Sequence, residues 1–418
     1  MKFKLLCFIG VLFSLSACEQ NTNDPLLELI KENDFLHEIA SNPQHEVQII
    51  WTQVNRDSSN APIFQSFEYN IDSTRYFYPA STVKLPIALL ALEKVNELDI
   101  NGLTKYSTFL TDSAYSGQTS VLEDSSSQNG HPSIAHYIKK IMVVSDNDAY
   151  NRLYEFLGQS TINDKLHQKG YAQSKISHRL SIALSADENR HTNPVRFFNN
   201  DSLIYEQGLV ENTAPLVTSS IPKGTGYTLD EDGTLINEPF DFGKKNFIPL
   251  SELQGILKAI IFPESTPAHN TFNLSDDDYK FLYQYMSQLP GETTFPDYSS
   301  EEYYDAYVKF ALFGNDRADI PDHIKVLNKI GQAYGYMIEN AYIIDLKNNI
   351  EFMLSAVVHV NANEIYNDGI YEYDSIGFPF MRELGTAVYN YELKRGRAFT
   401  PNLKKFKLTY DREPKREK

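Results

Sequence analysis

The sequence contains little cysteine and less basic than acidic charge. Its 418 residues include only Cys7 and Cys18, both close to the N-terminus. A structural disulfide within the folded body and a cysteine-based zinc site there are therefore excluded. A net charge of −17 argues against a nucleic-acid partner, because phosphate binding requires a basic surface. The hydrophobic fraction of 42% is ample for a large core, which excludes global disorder.

The N-terminus has the pattern of a bacterial lipoprotein signal. Lys2 and Lys4 precede an apolar run that is shorter than the ~20 residues needed to cross a bilayer, and small residues lead to Cys18. The pattern predicts a signal peptide over residues 1–17, lipidation of Cys18 and a polar tether over residues 18–25. The body is then expected in the cell envelope outside the cytoplasm, held to a membrane by lipid. An ordinary cleaved signal with a chance cysteine is the alternative.

Hydrophobic periodicity predicts that helices and strands are segregated along the chain. The strands are predicted over residues 46–54, 62–69, 336–345 and 350–360. The helices are predicted over residues 26–40, 85–95, 134–144, 148–157, 250–261 and 378–393. This order predicts an α+β fold with an antiparallel sheet.

The last segment, residues 394–418, differs from the rest in charge. It holds ten Lys and Arg against three Asp and Glu. Such a terminus is predicted to be solvated and frayed. Contact with anionic lipid headgroups or with the cell wall is the alternative.

Ser81 and Lys84 form a Ser-x-x-Lys pattern at the start of a strongly apolar helix. Residues three apart at a helix start lie on one face, and the free N–H groups there favour the anions of acyl transfer. A lysine that is partly desolvated can lose its proton and act as a base for the serine. Pro86 requires a tight or kinked first turn. The simpler interpretation is a helix cap with a solvated lysine.

Two further motifs follow in chain order. Ser-Asp-Asn at residues 145–147 comes directly after an apolar helix, and Lys-Ile-Gly at residues 329–331 precedes the second predicted strand pair. Each alone could be structural, as a helix cap or as a surface lysine with a turn glycine. A second Ser-x-x-Lys match at residues 220–223 is predicted to lie in a loop because proline and glycine surround it, so we discount it.

Together the three motifs, in the order Ser-x-x-Lys, Ser-x-Asn and Lys-x-Gly, resemble the penicillin-recognising serine hydrolases of the DD-peptidase superfamily. Within them the sequence is most similar to the class A β-lactamase-like branch. The resemblance implies a β-lactamase/transpeptidase-like fold, in which terminal helices flank the sheet and an all-helical subdomain is added. It implies one hydrolase domain over residues 26–393, with neither a cofactor nor a metal.

The resemblance assigns the chemical steps to three residues. Ser81 is the nucleophile that becomes acylated, and Lys84 accepts its proton. Ser145 passes a proton towards the leaving nitrogen.

The resemblance also implies a substrate-binding set. Asn147 binds the side-chain amide of the substrate and holds Lys84, while Lys329 supplies positive charge for the substrate carboxylate. The oxyanion hole is formed by the backbone N–H groups of Ser81 and of Gln332, which follows Gly331. Such preorganised donors usually supply a large part of the rate.

One departure from the family pattern lies in the third motif. Its middle residue, Thr or Ser in the family, is Ile330, so carboxylate recognition is weakened or comes from elsewhere. Lys-Gly-Thr-Gly at residues 223–226 is an alternative third motif, but a predicted hairpin with an Asp-Gly turn follows it. That segment is also too early in the chain to precede the main sheet strands.

A second departure concerns the loop that holds the deacylating water in class A enzymes. Its Arg-x-Glu-x-x-Leu-Asn pattern corresponds to residues 179–185, with Ser181 at the Glu position and Ser185 at the Asn position. A serine hydroxyl is no proton acceptor near neutral pH. Asp187 and Glu188 could substitute only if the loop is remodelled. We therefore expect acylation to survive and fast hydrolysis of a β-lactam acyl-enzyme to be lost.

The spacing between Ser145 and Lys329 exceeds that of the family, which predicts an insertion over roughly residues 189–322. The insertion either caps one side of the active site and selects the substrate or is an elaborated surface.

The leading hypothesis is a serine hydrolase that forms an acyl-enzyme at Ser81 on a β-lactam, a peptidoglycan peptide or a related amide or ester. The alternative is a lipid-anchored binding protein on an inactive fold, which Ile330 and the aromatic insertion favour. An exposed Lys84 would support the alternative, because a solvated lysine stays protonated. The sequence leaves the oligomeric state open.

Overall fold

A central antiparallel sheet is the frame of the structure, a computed structural model that describes residues 24–229 and 233–412. The strands are β1 (Gln48–Arg56), β2 (Pro62–Tyr69), β3 (Thr108–Thr111), β4 (His191–Thr192), β5 (Val195–Asn199), β6 (Ser202–Gln207), β7 (Val210–Glu211), β8 (Pro222–Lys223), β9 (Gly226–Thr228), β10 (Leu235–Ile236), β11 (Phe240–Asp241), β12 (Ile324–Asn328), β13 (Gly331–Ala333), β14 (Tyr336–Asp345), β15 (Ile350–His359) and β16 (Ile365–Tyr366). The main sheet has the order β12-β14-β15-β1-β2, and β13 also pairs with β14.

Helices cover both faces of this sheet. They are α1 (Pro25–Glu32), α2 (Asp34–Ser41), α3 (Lys84–Leu98), α4 (Ile134–Val144), α5 (Asn147–Leu157), α6 (Gln159–Gln168), α7 (Ala186–Arg190), α8 (Leu250–Ile261), α9 (Asp276–Ser287), α10 (Phe310–Phe313) and α11 (Phe378–Lys394). The predicted α+β class and the flanking terminal helices are confirmed.

The two long central strands are buried along their whole length. β14 and β15 pair antiparallel from Tyr336↔His359 to Asp345↔Ile350, as the predicted hairpin requires. One face packs against the first and last helices, where Trp51 and Leu384 belong to one apolar cluster. The other face packs against α8 and the helical half of the molecule. Burial on both faces explains why these strands are almost continuously apolar.

The first predicted helix is two helices. Asn33 has an extended backbone, with φ −107° and ψ 107°, and its side chain accepts a hydrogen bond from the N–H of Leu36 at 3.1 Å. Asparagine competes with helical hydrogen bonding and is a preferred N-cap, so it ends α1 and starts α2. The hydrophobic period continues across the break, which is why the pattern predicted one helix.

The helical half also contains small sheets, β3-β5-β6 and β4-β7. Within the predicted insertion, β9 and β10 form the expected hairpin, whose residues 230–232 lie outside the described part. Lys223 is not a third-motif lysine, because its Nζ donates to Glu46 Oε2 at 2.6 Å. Domain boundaries, including that of the insertion, stay predictions.

Residues 1–17 and Cys18 lie outside the described residues. In the described ranges, no helix is both long and apolar enough to cross a membrane.

The C-terminal segment is packed, so the predicted frayed terminus is wrong for residues 395–412. Leu403 and Phe406 are buried in the core of the helical half. Asp411 accepts a hydrogen bond from Lys139 of α4, and Arg412 Nε donates to the carbonyl of Gly291 at 3.0 Å. The segment packs because its apolar side chains are buried, which a count of its charged residues does not reveal.

We expect Phe406→Ala to lower the free energy of unfolding by about 3–5 kcal/mol, because it empties a packed aromatic site. The Phe406 ring lies 5.2 Å from that of Tyr283 and 5.3 Å from that of Tyr342. Urea unfolding followed by circular dichroism measures the change. Phe399→Ala is the matched control, since Phe399 is 44% exposed. Equal stability of the two variants would contradict the packed segment.

Candidate active site

Ser81 lies in a short turn that leads into α3. Ala80–Val83 form a 3-10 turn and α3 begins at Lys84, so the tight first turn that Pro86 requires is present. Ala80 has a positive φ of 47°, a strained conformation for a non-glycine residue. Ser81 keeps partial exposure and lines a cavity, while Thr82 is buried.

The Lys84 amine is fully buried and surrounded by oxygen atoms. Its Nζ donates to Ser81 Oγ at 2.8 Å and to Asn147 Oδ1 at 2.6 Å. It also contacts the carbonyl oxygen of Ser145 and lies 3.3 Å from Ser145 Oγ. The first and second motifs therefore meet at one amine, as the resemblance implies.

A left-handed residue brings the second motif to Lys84. Ser145 ends α4 with φ 62°, and α5 begins two residues later. Asp146 caps α5 by accepting the N–H of Ala149 at 2.7 Å. The simpler interpretation of the motif as a cap thus holds for Asp146, while the side chains of Ser145 and Asn147 both turn towards Lys84.

Burial lowers the pKa of Lys84 from its usual 10.5 to about 7, and the charge of Asp146 opposes this effect only partly. Removal from water disfavours the ammonium form. A large fraction of Lys84 is therefore a neutral amine near neutral pH, and a neutral amine can accept the proton of Ser81.

The third motif reaches the same group from the sheet edge. Lys329 Nζ donates to Ser145 Oγ at 2.7 Å and to the carbonyl of Ile330 at 3.0 Å. Burial and the nearby Lys84 lower the pKa of Lys329 well below its usual value, while Glu339 opposes them. Like charges disfavour each other, so protonation of either amine lowers the pKa of the other.

Gly331 allows the sheet edge to approach the serine turn. A Cβ at this position would lie 2.6 Å from the carbonyl oxygen of Pro79 and 3.2 Å from the Cβ of Ala80. Gln332 is exposed and lines the cavity beside Ser81, which is consistent with the implied oxyanion hole. Ile330 is buried in the apolar cluster on the opposite side.

The loop after α6 carries no carboxylate at the expected position. Arg179 is anchored by Glu155 of α5, with Nε to Oε1 at 2.9 Å. Ser181 has a positive φ of 52°, and its Oγ accepts a hydrogen bond from Asn147 Nδ2 at 2.7 Å. The hydroxyl of Ser181 is thus the hydrogen-bond partner of the side-chain amide of Asn147, the third residue of the second motif.

The nearby carboxylates are used elsewhere. Glu188 forms a capping box with Ser185, and its Oε1 accepts from Ser116 Oγ at 2.8 Å. Asp187 Oδ2 accepts from the hydroxyl of Tyr115 at 2.6 Å. Neither carboxylate lines the cavity, so the remodelling that would let them replace a glutamate is absent from the described loop.

A cavity of about 1110 Å³ opens over Ser81. The sequence motifs missed part of its wall, namely Tyr78, His178, Lys245, Tyr334 and Tyr371. Burial lowers the pKa of His178 to about 4, so this ring is neutral at pH 7. No motif spacing marks these residues, because the fold alone brings them together.

No metal centre accompanies the site in the described ranges, which contain no group of three or more His, Cys, Asp or Glu side chains suited to hold an ion. The polar groups that converge on Ser81 are instead amines, hydroxyls and an amide, which suit proton transfer to and from a nucleophilic serine.

A model of the Beta-lactamase enzyme family matches residues 33–201. This segment contains the first two motifs and the loop with Ser181. The match confirms the resemblance to the β-lactamase-like serine hydrolases. Curated proteins yield no match to the sequence.

Solved structures similar to this chain include β-lactamases and PBP-A. A β-lactamase from Sphaerobacter thermophilus has 11% identity and a TM-score of 0.46, covering 87% of this chain and 95% of its own. A β-lactamase from Xanthomonas campestris has 12% identity and a TM-score of 0.44, covering 88% and 95%. A PBP-A mutant in an acyl-enzyme complex with penicillin G has 13% identity and a TM-score of 0.48, covering 90% and 98%.

We expect Lys84 to titrate with a midpoint near pH 7, as a cation below it and a neutral amine above it, because burial disfavours the charge. The ¹³Cε shift of lysine-labelled protein measures this, and Lys84→Met identifies the resonance by its loss. Lys105 is the internal control, since its hydrogen bonds to Asp277 and Asp278 outweigh its burial and raise its pKa. A Lys84 that stays protonated above pH 9 would exclude it as a base.

Proposed function

We propose that this protein is a serine hydrolase that forms an acyl-enzyme at Ser81. The substrate is a β-lactam, a peptidoglycan peptide or a related amide or ester. The observation that carries the proposal is the 2.8 Å hydrogen bond between Ser81 Oγ and a buried Lys84 amine whose pKa is about 7. A serine hydroxyl needs such a base to become nucleophilic.

Acylation then follows from the hydrogen bonds of the site. Neutral Lys84 takes the proton of Ser81 as Oγ bonds to the carbonyl carbon. The N–H groups of Ser81 and Gln332 stabilise the oxyanion that forms. When the carbon–nitrogen bond breaks, Ser145 donates its proton to the nitrogen and is reprotonated by Lys84 or Lys329, whose Nζ atoms lie 3.3 and 2.7 Å away.

Deacylation of a β-lactam lacks an equivalent base. A water molecule that attacks the ester must lose a proton, and Ser181 offers only a hydroxyl where a carboxylate would serve. Asp187 and Glu188 are engaged with Tyr115, Ser116 and Ser185. These contacts support an acyl-enzyme that persists.

The alternative of a binding protein on an inactive fold receives less support. It would be favoured by a solvated Lys84, whereas Lys84 is 0% exposed and bonded to Ser81. The buried Ile330 bears only on recognition of a substrate carboxylate. It does not affect the nucleophile Ser81 or its base Lys84.

A fluorescent penicillin tests the proposal. We expect stable labelling of the purified protein, seen after denaturing electrophoresis, and its loss in Ser81→Ala because the acylated oxygen is absent. Mass spectrometry should locate the adduct on Ser81. An unlabelled protein that is folded would refute an acyl-enzyme with β-lactams, and rapid nitrocefin turnover would refute slow deacylation.

A pair of substitutions at Ser181 tests the missing base within the same assay. Ser181→Glu should shorten the lifetime of the label by about tenfold or more, since a positioned general base contributes ~10²–10⁴ when geometry is optimal. Ser181→Gln is the matched control, because it has the same shape and the same positive-φ strain but no charge. Equal lifetimes in the two variants would contradict the role given to the missing carboxylate.

We also propose that Cys18 is lipidated and that the protein is anchored in the bacterial cell envelope outside the cytoplasm. The support is the basic and apolar N-terminus followed by small residues and a polar tether. In a bacterial host, labelled palmitate should be incorporated into the protein of natural sequence and into the Cys7→Ala variant, but not into the Cys18→Ala variant. The anchor would be refuted if the Cys18→Ala variant still incorporated palmitate. It would also be refuted if the protein of natural sequence were soluble and unlabelled.

A further inference from the structure

The hydroxyl of Ser145 is within reach of two buried lysine amines. Lys329 Nζ is 2.7 Å and Lys84 Nζ is 3.3 Å from Ser145 Oγ, and both lysine side chains are buried. Lys84 has to be neutral to accept the proton of Ser81, whereas a positive charge beside Ser145 favours the oxyanion of acyl transfer. Burial disfavours the charged form of both amines, so a further group has to determine which of them keeps the charge.

A carboxylate acts on each of these amines. The charge of Asp146 opposes the lowered pKa of Lys84, but the Asp146 side chain is 26% exposed and lies 3.7 Å from the amine of Lys140. Glu339 opposes the lowered pKa of Lys329 and is 0% exposed. Water and a neighbouring cation weaken the field of Asp146, whereas a buried charge is screened much less. The buried carboxylate therefore favours the charge on Lys329.

Glu339 belongs to a buried polar network behind the edge of the main sheet. Its Oε1 accepts from Asn328 Nδ2 at 2.7 Å, and its Oε2 accepts the N–H of Ala311 at 2.9 Å. Asn328 and Lys329 are successive residues, so their side chains leave the backbone on opposite sides. The N–H of Lys329 donates to the carbonyl of Asn340, the residue after Glu339, at 3.1 Å. Glu339 therefore acts on Lys329 by charge and not by contact.

The predicted insertion supplies the third member of this network. Lys309 is 0% exposed, and its Nζ donates to Asn328 Oδ1 at 2.7 Å and to the carbonyl of Met286 at 2.6 Å. Burial lowers the pKa of Lys309 and raises that of Glu339, and each charge opposes the shift of the other. Two more charged groups act on the pKa of Lys309, which Glu292 raises and Lys325 lowers. Hydrogen bonds and a nearby amine thus allow an ionised carboxylate in the core.

We propose that Glu339 is a positioning residue that keeps the positive charge at Ser145 on Lys329 and thereby leaves Lys84 neutral as the base. The catalytic part of this inference rests on the proposed function and deepens it. Glu339 lies in none of the three motifs, and it shares Asn328 with Lys309 of the predicted insertion. The insertion then contributes to the site from behind the sheet.

The ¹³Cε shifts of lysine-labelled protein test the assignment of the charge. Glu339→Gln should lower the titration midpoint of Lys329 by about one pH unit, because the carboxylate that favours the cation is lost. The midpoint of Lys84 should rise at the same time, because a like charge nearby is lost. A site that merely loosened would admit water and raise both midpoints. Lys329→Met and Lys84→Met assign the two resonances.

Glu351→Gln is the matched control. Glu351 is also 0% exposed, lies on the adjacent strand β15 and pairs with Arg56 at 2.6 Å, so its loss should leave both midpoints unchanged. Glu339→Asp keeps the charge and should keep most of the Lys329 midpoint. If Glu339→Gln does not fold, the ¹³Cδ shift of Glu339 in the protein of natural sequence, assigned by its loss in Glu339→Asp, decides. An ionised carboxylate at pH 7 supports the proposal, and a protonated one overturns it.

The remaining outcomes separate this inference from the proposed function. An unchanged Lys329 midpoint in Glu339→Gln, or a joint rise of both midpoints, would overturn the role of Glu339. Acylation by a fluorescent penicillin should slow about tenfold above neutral pH in Glu339→Gln, as the charged fraction of Lys329 falls, and stay unchanged in Glu351→Gln. If the midpoints shift as expected but the protein of natural sequence is not labelled, the proposed function fails while the charge assignment stands.

Discussion

The Lys84 amine is removed from water yet keeps four oxygen acceptors in reach, and the rest of the site is arranged around that constraint. A buried polar group must be hydrogen-bonded to be tolerated. The acceptors come from three separate positions, at Ser81, Ser145 and Asn147. Ala80 and Ser145 adopt positive φ values, which cost ~1–3 kcal/mol each and persist only where packing fixes them.

Under the proposed function, the same arrangement bears differently on the two halves of a hydrolytic reaction, acylation of the serine and hydrolysis of the acyl-enzyme. The proposed base, Lys84, is present and lies 2.8 Å from Ser81 Oγ. At the position where the resemblance implies a water-activating carboxylate stands Ser181, whose hydroxyl is already bonded to Asn147. Under the proposed function, the contacts of Ser81 therefore support bond formation at the serine, whereas release of the acyl group depends on groups that the described loop does not offer.

Much of this site could be predicted from the sequence, because short-range spacing determines helix starts. The three motifs and the loop at Arg179 lie where their order implied. Lys245 and Tyr334 could not be predicted, since their proximity arises from packing between segments far apart in the chain. The break at Asn33 was missed because the hydrophobic period averages over the single residue that caps a helix. The buried Phe406 was missed because a charge count over a segment does not register one aromatic residue that fills a core.

The main sheet has a consequence for how the protein is made. β1 is paired to β15, and the ion pair between Arg56 and Glu351 joins residues 295 apart in sequence. Closing so long a loop before its contacts form makes folding slow. During synthesis, the edge of β1 that pairs with β15 stays unpaired until nearly the whole chain has been made. An unpaired strand edge can form hydrogen bonds with strands of other molecules. Shielding of this edge in the nascent chain would therefore favour the yield of folded protein.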